Sequence, residues 1–267
     1  MNRFWDFTDL EFVVLWEEMR EAGLPEPFVF TSRTRFYDEA QRAKQETRER
    51  LRATLDSSFD EVLPIVAQPD IRIVVRSWDP ADPKDPDGWI RLHAARRDHR
   101  AYLLSQRPGE TVEHSGGFSV AECGVLEMAE TVVAALPAAE AGRRSAVVFP
   151  TDVHDDGVDH EYGNSWVREP GHDPVLSRAQ EFLRAPVTRL GLVQIEQGRS
   201  RFGPQGIVRR ALLLRDLADD GRYLLTPGNP PQAMGAGAQR ITEALNTEIA
   251  IIVRAIKDER NGRRTAV

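Results

Sequence analysis

At Asp70 the hydrophobic period of the chain changes from 3.6 to 2, and that switch does most to limit the fold. Ile71, Ile73 and Val75 alternate with Arg72, Val74 and Arg76, and Ile90, Leu92 and Ala94 alternate with Arg91 and His93. Period 2 is the pleat of a strand with two unlike faces. Residues 100–106 and 110–118 read as two further strands, each bounded by turn residues. Later in the chain the pattern returns at 187–197, 206–215 and 222–226. Consecutive strands on short links form antiparallel meanders, and helices segregated before and after them give an α+β architecture. The expected fold is a central twisted antiparallel sheet with N- and C-terminal helical bundles, built as two quasi-twofold-related halves. Its expected organisation is one domain over 1–267, with an N-terminal half 1–149, an acidic linker loop 150–173 and a C-terminal half 174–267.

The helices carry their own start and stop signals. Thr8 and Glu11 form a capping box, and Phe7 and Phe12 fall where a hydrophobic staple would close it. Gly23 and Pro25 are expected to stop that helix. Phe28–Thr31 reads as a short strand. The Gly- and Pro-free run from Thr34 to about Leu55 reads as a partly solvated helix with a thin stripe of Phe36, Ala40, Ala43, Thr47 and Leu51. Residues 59–67 read as a helical turn interrupted at Pro64. Ser119 and Glu122 read as a second capping box opening a helix that contains Cys123, Leu126, Val133 and Leu136 and ends at Pro137. The second half adds helices at about 175–183 and 237–259. In RDLADDGRYLL (215–225), Asp220-Gly221 marks a hairpin bend.

Charge narrows the partners. The formal net charge is −7, and the acidity is concentrated in residues 79–88 and 152–173. Nucleic acid demands a concentrated basic face, which is missing. No run approaches the ~20 apolar residues that cross a bilayer. The acidic N-terminus lacks the apolar stretch of a signal peptide, so a cytoplasmic location is expected. A single cysteine excludes an internal disulfide framework and a multi-cysteine zinc site.

Two loops compete for function. In DVHDDGVDHEYGN (152–164), His154, Asp156, Asp159 and His160 bring oxygen and imidazole ligands close together. A metal-dependent hydrolase built on that run is the enzymatic alternative, against a plain solvated linker. No nucleophile elbow of the form G-x-S-x-G exists, and MGAGAQR (234–240) lacks the third glycine of a dinucleotide site. The other loop is WDPADPKDPDGW (78–89). Its three prolines keep it extended, and its two tryptophans bracket the acids. Trp78, Asp79, Asp82, Lys84, Asp85, Asp87 and Trp89 are the candidate partner-binding residues, presented by a preorganised loop with an aromatic base, against a plain solvated loop whose tryptophans close the end of the sheet.

Three stretches carry a family resemblance: FTDLEFVVLWEEM (7–19), VVAALP (132–137) and RSRFGPQGIVRRALLLRDLADDGRYLL (199–225). With them the chain resembles the EspG family of type VII (ESX) secretion systems, nearly end to end. The resemblance implies a non-enzymatic cytoplasmic chaperone with no cofactor. It implies that the protein binds the tip of a PE–PPE heterodimer, or of a related secreted helical pair, and keeps it soluble for secretion. It attributes the contact surface to the sheet, the loop at 79–88 and the C-terminal helical region.

Overall fold

A computed structural model describes residues 3–19, 23–150 and 174–262. Ten strands form one antiparallel sheet: β1 (Phe4–Phe7), β2 (Ile71–Trp78), β3 (Ile90–Arg97), β4 (Arg100–Pro108), β5 (Ser115–Cys123), β6 (Val147–Val148), β7 (Val187–Gln197), β8 (Arg209–Leu217), β9 (Gly221–Thr226) and β10 (Gln232–Gly235). Their order across the sheet is β1-β5-β4-β3-β2-β7-β8-β9-β10-β6. The helices are α1 (Asp9–Glu17), α2 (Tyr37–Thr54), α3 (Val62–Ala67), α4 (Met128–Ala134), α5 (Pro174–Arg184) and α6 (Ala238–Arg260).

Each half runs from an edge strand through helical structure into a four-strand meander and a closing helix, with α1, α2 and α3 before the first meander and, among the described residues, α5 before the second. The meanders meet where β2 pairs with β7, from Ile71 opposite Gln197 to Trp78 opposite Leu190. The expected α+β fold with two related halves is what the chain forms. Both sheet edges are short strands, of four residues at β1 and two at β6, which limits pairing with other chains.

One face of the sheet is covered along most of its width. Ile71, Ile73 and Val75 of β2, Val193 and Ile195 of β7 and Leu212 and Leu214 of β8 pack with α4 and α6 in a single core. The stripe Ile241, Leu245, Ile249 and Ile252 of α6 is buried there. Glu248 of α6 accepts from Arg210 of β8 at 2.6 Å. Glu259 accepts from Gln197, Ser200 and the Arg201 amide, anchoring the far end of α6.

The opposite face is covered unequally. Over the N-terminal half, α1, α3 and Leu51 of α2 bury Ala95, Tyr102, Leu104, Phe118 and Val120. Phe12 stacks on Phe118 with ring centroids 4.4 Å apart. Over the C-terminal half, among the described residues, α5 alone packs down, and Phe182 and Ala179 bury Tyr223, Leu217 and Ala233 near the outer strands.

Several local expectations hold and others need correction. The capping box is present: Glu11 N–H donates to Thr8 Oγ1 at 3.2 Å, and Thr8 N–H donates to Glu11 Oε2 at 2.9 Å. Residues 28–31 are not a strand. The Gln106 side-chain amide instead bonds both backbone groups of Val29, at 3.0 and 3.1 Å. Pro64 does not interrupt α3, because it lies in the first turn, where its missing amide has no intrahelical partner anyway. Ser119 and Glu122 are not a helix cap. They lie in β5, which continues to Cys123 because β1 and β4 pair with it on both sides. The helix after it starts only at Met128, leaving Leu126 exposed and Cys123 buried at a strand end rather than in a helix. Phe36, expected on the buried stripe of α2, is exposed.

Candidate functional site

The halves are related by repeat, so β8 stands where β3 stands in the first half. In the N-terminal half α3 sits over β3; among the described residues no helix sits in the matching place over β8. The consequence is visible in the side chains. Leu213 of β8 keeps 47% of its surface exposed, although its neighbours Leu212 and Leu214 are buried against α6.

Register shows what lies around it. On the uncovered face Arg76 of β2, Leu192 of β7, Leu213 of β8 and Leu225 of β9 stand side by side. The next row runs Trp78, Leu190 and Arg215. Two rows on the other side run Val74, Gln194 and Ala211, then Arg72, Glu196 and Arg209. A leucine strip is thus bounded by polar residues that are already paired. Arg72 donates to Glu196 at 2.5 Å, and Arg76 donates to Gln194 at 2.7 Å and to Glu26 at 2.8 Å. Arg215 donates to the carbonyl of Leu183 at 2.7 Å, at the C-terminal end of α5, and lies over the Phe182 ring. Leu183 itself is exposed on that border.

The candidate loop closes one end of this strip. Trp78 and Trp89 stack with centroids 5.4 Å apart and planes 17° apart, and the Arg91 guanidinium sits 4.7 Å from the Trp89 ring. The loop between them is held by its own short-range bonds. Asp79 Oδ1 accepts from the Ala81 amide at 2.8 Å and Asp85 Oδ1 from the Asp87 amide at 3.1 Å. Trp89 Nε1–H donates to the Pro83 carbonyl at 2.9 Å, and Arg189 donates to the Gly88 carbonyl at 2.9 Å. Asp79, Asp85 and the tryptophans are thus half-buried, while Asp82, Lys84 and Asp87 are exposed. The predicted residues are brought together as one loop, but they divide into those that shape it and those it presents. The two turn-forming aspartates are the kind of local cap that lowers the entropy lost on contact.

The leucine strip was missed at the level of sequence. Its signal lay in GIVRRALLLRDL: three consecutive leucines break the alternation of a half-buried strand, so both faces of β8 carry apolar surface. The C-terminal helix α6 lies behind the sheet, on the face opposite the leucine strip. The helix of that half that borders the strip is α5.

The hairpin at 220–221 has a separate, structural use. Gly221 has φ +147, where a side chain is strained. Asp220 accepts from the Arg143 amide at 2.8 Å and from the Tyr223 hydroxyl, so its carboxyl is held below the usual range. These bonds, with Gly142 packed on the Tyr223 ring, fasten the crossing segment 140–145 to β9.

His154, Asp156, Asp159 and His160 lie outside the described residues. Among the described residues no group of three or more His, Cys, Asp or Glu side chains converges on a point. Among them, too, no helix is long and apolar enough to cross a membrane.

The model of the EspG family matches residues 8–247. The chain belongs to the EspG family. A search of curated proteins returned no matching sequence. Among solved structures the chain is similar to the Mycobacterium tuberculosis type VII secretion system chaperone EspG5, determined in complex with a PE25-PPE41 dimer. That similarity has a TM-score of 0.52 at 13% identity and covers 97% of this chain and 96% of EspG5. At that identity it establishes the shared fold, including the sheet that spans both halves.

Proposed function

We propose that this EspG protein is a cytoplasmic, non-catalytic chaperone of type VII (ESX) secretion that binds the tip of a PE–PPE heterodimer. Binding keeps the pair soluble until it is handed to the secretion machinery. The observation that carries this reading is the uncovered leucine strip of β7–β9, joined at one end to the Trp78–Trp89 loop, on a family member of EspG5-like fold. Covering the apolar end of a helical pair calls for a broad apolar floor with a polar rim, not a deep reactive pocket. Leu190, Leu192, Leu213 and Leu225 supply the floor. Arg72, Arg76, Arg209 and Arg215 supply the rim on the sheet, and Asp82, Lys84 and Asp87 supply it on the loop. The acidic loop, of net charge −3 over 79–88, disfavours partners whose tips are acidic, so it contributes to choice between similar clients.

Co-expression with a PE–PPE pair, followed by size exclusion, tests the proposal. A single species containing all three chains is expected, with the pair aggregating when the chaperone is left out. A pair that stays soluble alone and elutes apart from this protein refutes it.

A further inference from the structure

Four arginines border the leucine strip, and three of them face a carboxylate. Arg72 donates to Glu196, Arg209 lies 3.7 Å from the same Glu196, and Arg76 donates to Glu26. Arg215 is the exception. Among the described residues no carboxylate lies against it, and burial pulls its pKa below the ordinary value with no neighbouring charge to raise it.

Its hydrogen bonds do not replace the missing charge. Nη2 donates to the Leu183 and Ala185 carbonyls at 2.7 and 3.2 Å, which caps the C-terminal end of α5. The dipole of a helix end amounts to about half a negative charge, so part of the positive charge stands uncompensated. Nε is buried without a partner; Nη1 makes no hydrogen bond among the described residues and, unlike Nε, is not enclosed. A half-buried guanidinium left in this state is a cost to the free protein, which a counter-charge arriving with a partner relieves. Carbonyl acceptors are already at hand, so what the position lacks is a negative charge. In a protein partner that charge is a carboxylate.

Position gives the residue a use. Arg215 ends the row Trp78, Leu190 and Arg215, two strand spacings or about 10 Å from Trp78. Beyond Trp78 stands the 79–88 loop, whose exposed Asp82 and Asp87 form no ion pair among the described residues. The docking face thus has a negative pole at the loop and a positive pole at β8.

We propose that Arg215 is the orienting contact of this face, taking through Nη1 a carboxylate from the tip of the bound helical pair and so deciding which way round the tip seats between α5 and the loop. That the carboxylate belongs to the pair rests on the chaperone reading; the capacity of Arg215 to take one does not.

Two titrations separate these points. Isocaproate carries a carboxylate on a leucine-like body, and isocaproamide is its uncharged counterpart. Followed by the side-chain ¹⁵N signals of Arg215, isocaproate should bind roughly tenfold tighter than the amide, and Arg215→Gln should abolish the difference. Equal binding of the two probes, or none of isocaproate, overturns the site. With a PE–PPE pair as ligand, Arg215→Gln should lower affinity about tenfold and flatten the dependence of Kd on salt, and Arg215→Glu should lower it about a hundredfold. Changing one Asp or Glu at the tip of the pair to Arg should restore roughly tenfold of the affinity lost in Arg215→Glu. A role confined to capping α5 lowers the melting temperature but moves neither the salt dependence nor the response to the reversed charge. Unchanged affinity in Arg215→Gln, or no tip reversal that restores Arg215→Glu, overturns the assignment to the partner. Failure of the wild-type protein to bind the pair counts against the chaperone reading, while the isocaproate titration still decides the site.

Discussion

Replacing Leu213 by aspartate should leave the free protein folded and remove much of its affinity for a PE–PPE pair. Leu213 retains 47% of its surface in the free protein. Burying a whole leucine side chain is worth ~2 kcal/mol, so the part still available to a partner is worth about 1 kcal/mol. Leu213→Ala therefore costs roughly fivefold in Kd. The aspartate adds an unpaired carboxylate under the partner, which costs a further ~1–3 kcal/mol. The two together come to about 2–4 kcal/mol, or at least roughly thirtyfold. Isothermal titration of the purified pair into each variant measures the effect, with thermal unfolding as the check on folding. Leu126→Asp is the control, since Leu126 is 87% exposed in the turn before α4, away from the strip. Binding by Leu213→Asp as tight as by wild type, or equal loss in Leu126→Asp, would refute the reasoning.

Further predictions follow from the same geometry. Exchanging Asp79–Gly88 for a short Gly-Ser link keeps Trp78 and Trp89 but removes the exposed charges; the melting temperature should change by only a few degrees while calorimetry records weaker binding. Gly142→Ala places a methyl against the Tyr223 ring and should cost more than ~2 kcal/mol in urea unfolding, whereas Gly203→Ala meets no atom and should cost only its backbone strain at φ +74. His93 has a folded pKa of about 4 against an ordinary 6.5, so between those values the unfolded chain binds more protons and stability falls as pH falls. Its share is about 3 kcal/mol across that window. His93→Gln should flatten the slope of unfolding free energy against pH there; an unchanged slope contradicts the buried neutral ring.

The meanders were legible because a half-buried strand writes its pleat into the residues: β2 and β7 were bounded almost to the residue by alternation alone. The closing helix α6 was legible for the same reason, through its isoleucine and leucine stripe. What alternation could not give was pairing. β1, β6 and β10 are two to four residues long, too short for any period, and exist because a longer neighbour offers free backbone groups. Ser119–Glu122 misled because a capping box is a four-residue pattern that a strand can contain by chance, and only β1 and β4 decide the matter. The loop at 78–89 announced itself through its prolines and tryptophans. The leucine strip did not, because whether Leu213 is core or surface depends on a helix that the second half lacks among its described residues.

In the proposed complex a helical pair seats on the uncovered face of β7–β9 beside the Trp78–Trp89 loop. Leucine-methyl and tryptophan-indole spectra of the labelled protein, recorded while a PE–PPE heterodimer is added, test it most directly. Leu190, Leu192, Leu213 and Leu225 and the Trp78 and Trp89 indoles are expected to shift together, while Leu126 and Leu245 stay in place. Shifts confined to α4 and α6, with the strip unmoved, would contradict it.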